Sequence, residues 1–147
     1  MISTNEISIG ATLGPLAVGP ITRTTLALFA GASGDHNPIH IDSDVARSAG
    51  LDDVFAHGML GMAQLARVLT GWVPQHAIKS YRVRFAAITP VNSNPTCTGT
   101  VVATNDGFAT LELTVTLDDG TVTLTGDATI DISKAISRSQ PTDQEMR

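Results

Sequence analysis

The sequence lacks several features that define large classes of protein. It has one cysteine, Cys97, so it cannot form an internal disulfide, and this usage is typical of a reducing compartment. Only 16% of its 147 residues are charged and the net charge is −5, so it lacks the basic surface typical of nucleic-acid-binding proteins. No stretch reaches the ~18 apolar residues of a membrane span, and the first residues do not resemble a signal peptide. We expect a cytoplasmic protein with neither nucleic acid nor membrane as a partner.

Hydrophobic residues make up 42% of the chain, which is high beside its small charged fraction. This balance suggests that part of the surface is covered by another subunit, so we expect an oligomer. The length is enough for one domain with a proper core and too short for two. We predict a single domain over residues 1–132, followed by a flexible tail over 133–147, where the sequence shows no periodicity.

Two helices are predicted from the spacing of apolar residues and from residues that favour helix ends. The first begins at Thr22, whose side chain can cap it, and ends at Gly31. The second is longer and covers residues 58–71, with Gly71 at its C-terminal cap. Apolar residues occupy more than half of its circumference, so we expect it to be buried on most sides.

After the long helix, apolar and polar residues alternate, which is the pattern of half-buried antiparallel strands. Four strands are predicted there, including "SYRVRFAAI" and "LELTVTL", and one or two more precede the helix. "DDG" at 118–120 indicates a hairpin turn. The sum is an α+β fold in which an antiparallel sheet wraps around a long buried central helix, the hot-dog architecture. Its open sheet edges favour the pairing of two subunits.

The stretch "SGDHNPIH" at 33–40 holds two of the four histidines. Pro38 disfavours a helical conformation at Asn37 and cannot lie inside an α-helix, so Asp35 and His40 lie on a turn. This counts against a zinc site built from two histidines on one helical face, and we expect no metal. A turn can instead direct Asp35 and His40 to one water molecule, which they could deprotonate.

Other chemistries have weaker support in the sequence. Ser33 lacks the G-x-S-x-G context of an attacking serine, and Cys97 has no histidine near it in sequence. G-x-G-x-x-G is absent, so no nucleotide cofactor is indicated, and we expect no cofactor at all. Gly58 lies at the predicted start of the long helix, where free backbone N–H groups favour negative charge. Its amide is therefore a candidate oxyanion hole.

The stretches "FAGASGDHNPIHID", "AGLDDVFAHGML" and "YRVRFAAITPV" resemble the MaoC-like (R)-specific enoyl-CoA hydratases and the related hydroxyacyl-ACP dehydratases. The resemblance runs from about residue 20 to 92 and depends on the G-D-x-N-P-I-H block followed by A-H-G. It implies a hot-dog dimer that acts on acyl thioesters of CoA or of a carrier protein. Asp35 and His40 would act on the water, Asn37 would support them, and the Gly58 amide would face the thioester oxygen. After Pro90 the chain departs from the P-V-x-x-G-D of many members.

Five further residues are candidates for binding substrate. His57 is expected to begin the long helix and bond nearby backbone, with a direct role less favoured, and Met59 either fills the core or lines an acyl channel. Lys79, Arg82 and Arg84 form a basic cluster in an acidic chain. They lie either on a solvated outer face of the sheet or where the phosphates of CoA or an acidic carrier protein bind.

Two alternatives to a self-sufficient hydratase remain open. The chain could be one subunit of a hetero-oligomer whose partner supplies the acyl pocket. It could also be a thioesterase, although that activity usually needs a carboxylate on or near the long helix, and residues 58–71 contain no Asp or Glu.

Overall fold

A computed structural model of the protein describes residues 7–136. Within them the chain forms a five-stranded sheet, four helices and two 3₁₀ turns. In chain order these are β1 (Thr12–Ala17), α1 (Arg23–Ser33), a 3₁₀ turn (Pro38–His40), α2 (Ser43–Ser48), α3 (Gly58–Thr70), a second 3₁₀ turn (Gln75–Ala77), β2 (Ile78–Phe85), β3 (Thr96–Asn105), β4 (Phe108–Thr116), β5 (Val122–Asp131) and α4 (Ile132–Ala135).

The sheet has the order β1-β3-β4-β5-β2, and every neighbouring pair is antiparallel. One strand before α3 and four after it agree with the prediction. The turn predicted at 118–120 joins β4 to β5, where the Leu117 N–H donates to the Thr121 carbonyl at 2.9 Å and Gly120 has a φ of 86°. β1 and β2 form the two edges of the sheet, and within residues 7–136 no further strand pairs with either edge.

Helix α3 begins and ends where the sequence predicted and packs against one face of the sheet. Leu65 and Leu69 are fully buried in the core. A Cβ at Gly61 would lie 3.1 Å from a methyl carbon of Leu124, so the small residue lets the helix approach the sheet closely. The expectation of burial on most sides is wrong for the single chain, because one face of α3 remains open and Met59 is 57% exposed. Met59 therefore does not fill the core.

Helix α1 is capped by the Thr22 side chain, as predicted, but it ends at Ser33 rather than at Gly31. Gly34 ends it, because its φ of 77° is left-handed and its N–H donates to the Ala30 carbonyl at 3.0 Å. Glycine adopts that conformation without steric cost. Asp35 follows directly, so the end of α1 fixes where the "DHNPIH" turn begins.

A second, smaller apolar cluster lies beneath this turn and joins α1, α2 and the start of α3. Helix α2 was not predicted, although Asp42 caps it by accepting from the Asp44 and Val45 amides. The first residues of the predicted flexible tail belong to α4, with Ala135 buried, and residues 137–147 lie outside the described part. None of the helices in residues 7–136 is long and apolar enough to span a membrane.

Candidate active site

The "DHNPIH" segment forms a 3₁₀ turn that buries His40. Pro38 occupies the first position of the turn, where its missing N–H costs nothing. Asn37 caps the turn, since its side-chain oxygen accepts from the Ile39 amide at 3.2 Å. His40 ends the turn with 9% of its surface exposed. The proline therefore prevents an α-helix, as predicted, and places His40 at the end of a rigid turn instead.

The ring of His40 is held by Phe55. A carbonyl oxygen can only accept, so the Nδ1–H of His40 donates to the Phe55 carbonyl, at 2.8 Å. The edge of the Phe55 ring also lies against His40, with 4.6 Å between ring centroids. In the neutral ring this leaves the lone pair on Nε2. Nε2 is thus the atom of His40 that can accept a proton.

The carboxylate of Asp35 lies close to this ring. Asp35 is exposed, and its Oδ1 accepts from the Asn37 amide at 3.2 Å. One carboxylate oxygen of Asp35 and one ring nitrogen each of His40 and His57 all lie within 4.8 Å of one another. The structure therefore brings Asp35 and His40 together. His36, next to Asp35 in sequence, is exposed.

His57 is the residue immediately before α3, and its ring bonds backbone, as predicted. Its Nε2–H donates to the backbone carbonyl of Asp35 at 3.1 Å, and its ring stacks on that of His40 with 4.1 Å between centroids. Only 1% of His57 is exposed, and its Nδ1 is buried without a hydrogen-bond partner among the described residues. Burial lowers the pKa of His57 below its usual value of 6.5, and the neighbouring His40 adds to this effect.

The same three side chains are spaced closely enough to raise the question of a metal ion. Imidazole binds metal through a lone pair that lies in the ring plane. The planes of His40 and His57 are stacked and only 29° apart, so their lone pairs run side by side instead of converging. Backbone carbonyls engage one nitrogen of each ring, so the nitrogens left for a metal are Nε2 of His40 and the buried Nδ1 of His57. The arrangement fits two hydrogen-bonded imidazoles better than a metal centre.

The start of α3 provides free backbone donors beside a cavity. Neither the Gly58 nor the Met59 amide donates a hydrogen bond to any acceptor in the described residues. A cavity of about 310 Å³ adjoins Gly58 and is lined mainly by Phe55, Phe85 and the residues that follow Phe85. A Cβ at position 58 would lie 3.0 Å from the Phe85 ring, so glycine leaves this approach open. Among the described residues, neither Asp35 nor His40 lines this cavity.

The predicted basic cluster lies away from this cavity. Side chains alternate along β2, and since Phe85 faces Gly58, Arg84 and Arg82 point to the opposite face of the sheet. Arg82 pairs with Asp127 at 3.0 Å, and Lys79 pairs with Asp131 at 3.5 Å. Within one chain these residues have the contacts of a solvated outer face.

The sequence pattern of the family described as "MaoC like domain" matches residues 5–122. The chain belongs to this family. Among the relatives of this MaoC-like chain, the 3-hydroxyacyl-thioester dehydratase Z of Mycobacterium tuberculosis is 34% identical over 65% of this chain and 68% of its own length. The (R)-specific enoyl-CoA hydratase of Rhodospirillum rubrum is 32% identical over 75% of this chain and 78% of its own length.

The crystal structure of the ChsH1-ChsH2 complex from Mycobacterium tuberculosis contains a similar fold. The alignment covers 84% of the MaoC-like chain and 97% of the other, with a TM-score of 0.76 and 26% identity. The predicted α+β hot-dog fold is confirmed.

Sequence reasoning missed two residues of the MaoC-like site. Phe55 acts through its backbone carbonyl, which no side-chain motif reveals. Phe85 was interpreted only as an inward-facing strand residue, and its contact with Gly58 joins positions 27 residues apart. The one available signal was the alternation of β2, which places Phe85 on the face towards α3.

Proposed function

We propose that the protein catalyses the reversible hydration of trans-2-enoyl thioesters to (R)-3-hydroxyacyl thioesters. The observation that carries the proposal is the convergence of the Asp35 carboxylate and the ring of His40 at His57, the residue directly before Gly58, whose amide donates no hydrogen bond to the described residues. An acid–base pair and an oxyanion donor are the parts that addition of water to a conjugated thioester requires.

In the forward direction Asp35 and His40 hold one water molecule between them. As its oxygen bonds to Cβ of the substrate, the pair accepts a proton from the water, and electron density moves through Cα to the thioester carbonyl. The Gly58 amide stabilises the negative charge on that oxygen, a contribution worth about 3 kcal/mol in a well-formed site. The proton then passes from the pair to Cα, which completes the addition. Dehydration follows the same steps in reverse.

The printed names of the relatives support the reaction class and its stereochemistry. They describe a 3-hydroxyacyl-thioester dehydratase and an (R)-specific enoyl-CoA hydratase. The acyl carrier is then CoA or acyl carrier protein. Asn37 supports Asp35, because its backbone N–H donates a hydrogen bond to the Asp35 carboxylate. Neither metal nor organic cofactor takes part in the proposed chemistry, and we retain a cytoplasmic location as a prediction.

We further propose that the active form is a homodimer. Met59 on α3 and Phe85 on the sheet edge are 57% and 52% exposed, and the cavity beside them is not lined by Asp35 or His40. A second subunit would cover these side chains and complete the cavity. The similar fold in the ChsH1-ChsH2 complex keeps a hetero-oligomer as the alternative. Sedimentation of the chain expressed alone distinguishes the two, because a stable, active homodimer excludes an obligatory partner.

The reaction is tested by incubating the purified protein with crotonyl-CoA and longer enoyl-CoA esters and following the absorbance of the conjugated thioester. Asp35→Asn and His40→Ala should each lower the rate by about 10² or more, since both groups take part in the proton transfers. His36→Ala is the matched control, because His36 is exposed and should leave the rate unchanged. Wild-type turnover that persists in both site variants would eliminate the mechanism.

Thioester hydrolysis is the competing activity on this fold. Helix α3 carries no carboxylate that could direct water to the carbonyl carbon. Saturated acyl-CoA should therefore release no free thiol, as measured with a thiol reagent.

A further inference from the structure

The burial of His57 destabilises the fold, and packing alone does not explain why a histidine lies at this position. It is 1% exposed, and its Nδ1 has no hydrogen-bond partner. An unpartnered polar atom in the interior destabilises a fold. Phe29 and Phe55 lie around the histidine pair, so the surroundings already accommodate hydrocarbon rings. A phenylalanine at position 57 would fill similar space without the orphan nitrogen, and a polar ring retained there points to a role in the site.

Three parts of the site meet at this residue. Its Nε2–H holds the backbone carbonyl of Asp35, which lies 22 residues earlier in the chain. Its ring covers one face of His40 at a centroid distance of 4.1 Å. Its own backbone leads into α3, so the next peptide carries the Gly58 amide. Among the described residues, no other side chain both hydrogen-bonds Asp35 and stacks on the ring of His40.

The stacking contact between His57 and His40 matters because one hydrogen bond does not fix the orientation of an imidazole ring. The bond from Nδ1 of His40 to the Phe55 carbonyl holds one edge of the ring and leaves a rocking motion about that edge. His57 blocks this motion on one side, and the Phe55 ring approaches from another direction with its plane at 70° to that of His40. The ring is therefore clamped, which fixes the direction of its Nε2 lone pair.

We infer that His57 is a positioning residue, which sets the relative placement of Asp35 and His40 through one hydrogen bond and one stacking contact. The inference rests on the proposed function. His57 does not itself transfer a proton in this scheme. Its Nε2 proton is held by a backbone carbonyl, and its Nδ1 is buried with no hydrogen-bond partner among the described residues. Its effect on the reaction is exerted through its two neighbours.

Two substitutions separate the two contacts. His57→Phe keeps an aromatic ring over His40 and removes the donor to Asp35. His57→Gln keeps an N–H near the position of Nε2 and removes the ring. Each should lower kcat about tenfold or more and change KM by less than about threefold, because misplaced catalytic groups weaken the chemical step more than binding. His76→Gln is the matched control, since His76 is exposed in the second 3₁₀ turn and should behave as wild type.

Thermal melting and sedimentation confirm that each variant is folded and assembled before its kinetics are read. A kcat within about twofold of wild type in either folded variant overturns the requirement for both contacts. A loss confined to KM also overturns the inference, since it would assign His57 to substrate binding.

A second measurement does not depend on turnover. The ring current of a stacked aromatic neighbour shifts the NMR signals of the His40 ring protons, which can be assigned by comparison with His40→Asn. That shift should persist in His57→Phe and be lost in His57→Gln. If the wild type hydrates no enoyl thioester, the proposed function fails, whereas the stacking is judged by these signals alone. Signals of His40 that His57→Gln leaves unchanged would overturn the positioning role.

Discussion

The carbonyl oxygen of Phe55 accepts the Nδ1–H of His40 at 2.8 Å, and this one bond determines which nitrogen of His40 is available for chemistry. Phe55 lies 15 residues after His40, in the segment that leads into α3. The bond therefore ties the turn that carries the acid–base pair to the segment before α3, whose first residue, Gly58, lines the cavity. It also predicts that the two nitrogens of His40 have separable roles.

His40→Asn should separate those roles. The asparagine amide can donate to the Phe55 carbonyl from a position close to that of Nδ1, but nothing replaces Nε2. We expect kcat to fall by about 10² or more while the melting temperature changes by only a few degrees. Steady-state kinetics and thermal melting test this, with His36→Asn as the exposed control. Activity within about tenfold of wild type would remove Nε2 from the mechanism.

Gly58→Ala should weaken catalysis more than stability. The new methyl group would lie 3.0 Å from the nearest carbon of the Phe85 ring, and a shift of this side chain by a few tenths of an ångström relieves the contact. We expect less than about 1 kcal/mol of destabilisation. The methyl group also lies where the substrate carbonyl must approach the amide, so kcat/KM should fall about tenfold or more.

Phe85→Ala is the companion variant for position 58, because it alters the cavity wall and leaves the amide in place. It should raise KM and change kcat less than about threefold. A Gly58→Ala protein with wild-type kcat/KM would show that no carbonyl approaches this amide.

The two glycines near the end of α1 should respond in opposite directions to alanine. Gly34 has a left-handed φ of 77°, so Gly34→Ala should destabilise the protein by about 1 kcal/mol. Gly31 lies inside the helix with open space around it, so Gly31→Ala should be neutral or stabilise by up to about 1 kcal/mol. Urea unfolding of both variants measures the difference. Equal effects would mean that Gly34 does not set the end of the helix.

The lowered pKa of His57 predicts a loss of stability in mild acid. As pH falls below 6.5, the unfolded chain binds a proton at His57 before the folded protein does. The contribution of His57 is therefore fully present above that pH and is lost as the pH falls towards the lower folded pKa. Asp35 and His40 both face His57, and both are present in wild type and in His57→Gln.

The measurement is the free energy of unfolding of wild type and His57→Gln at several pH values from about 8 to about 5. The wild type should lose stability more steeply than the variant below about pH 6.5. A difference between the two proteins that stays constant with pH would contradict the burial of a neutral imidazole.

What the sequence could predict depends on the range of the interactions involved. The strands and α3 have strong periodicity, so their type and order could be predicted, and the proline marks a turn that has no α-helical alternative. The end of α1 was misplaced because Gly31 and Gly34 are equally plausible stops until the left-handed φ is known. The burial of α3 was overestimated because an apolar helix face does not reveal whether it meets the same chain or another.

The rest of the site could not be predicted because it depends on contacts between residues that are distant in sequence. The bond from His40 to the Phe55 carbonyl and the approach of Phe85 to Gly58 depend on how the turn, α3 and β2 pack together. Neither contact leaves a pattern along the chain. Lys79, Arg82 and Arg84 form a cluster in sequence, but pairing with acids on β5 and its end gives two of them partners that spacing does not predict.

All the groups assigned to chemistry lie between residues 35 and 58, whereas much of the cavity wall comes from residues 85–89. In the proposed mechanism the proton transfers therefore depend on the earlier stretch, while the later stretch shapes most of the cavity wall. Substitutions in the later stretch would reshape the cavity while leaving Asp35 and His40 in place. One acid–base pair would in this way act on thioesters of different shapes.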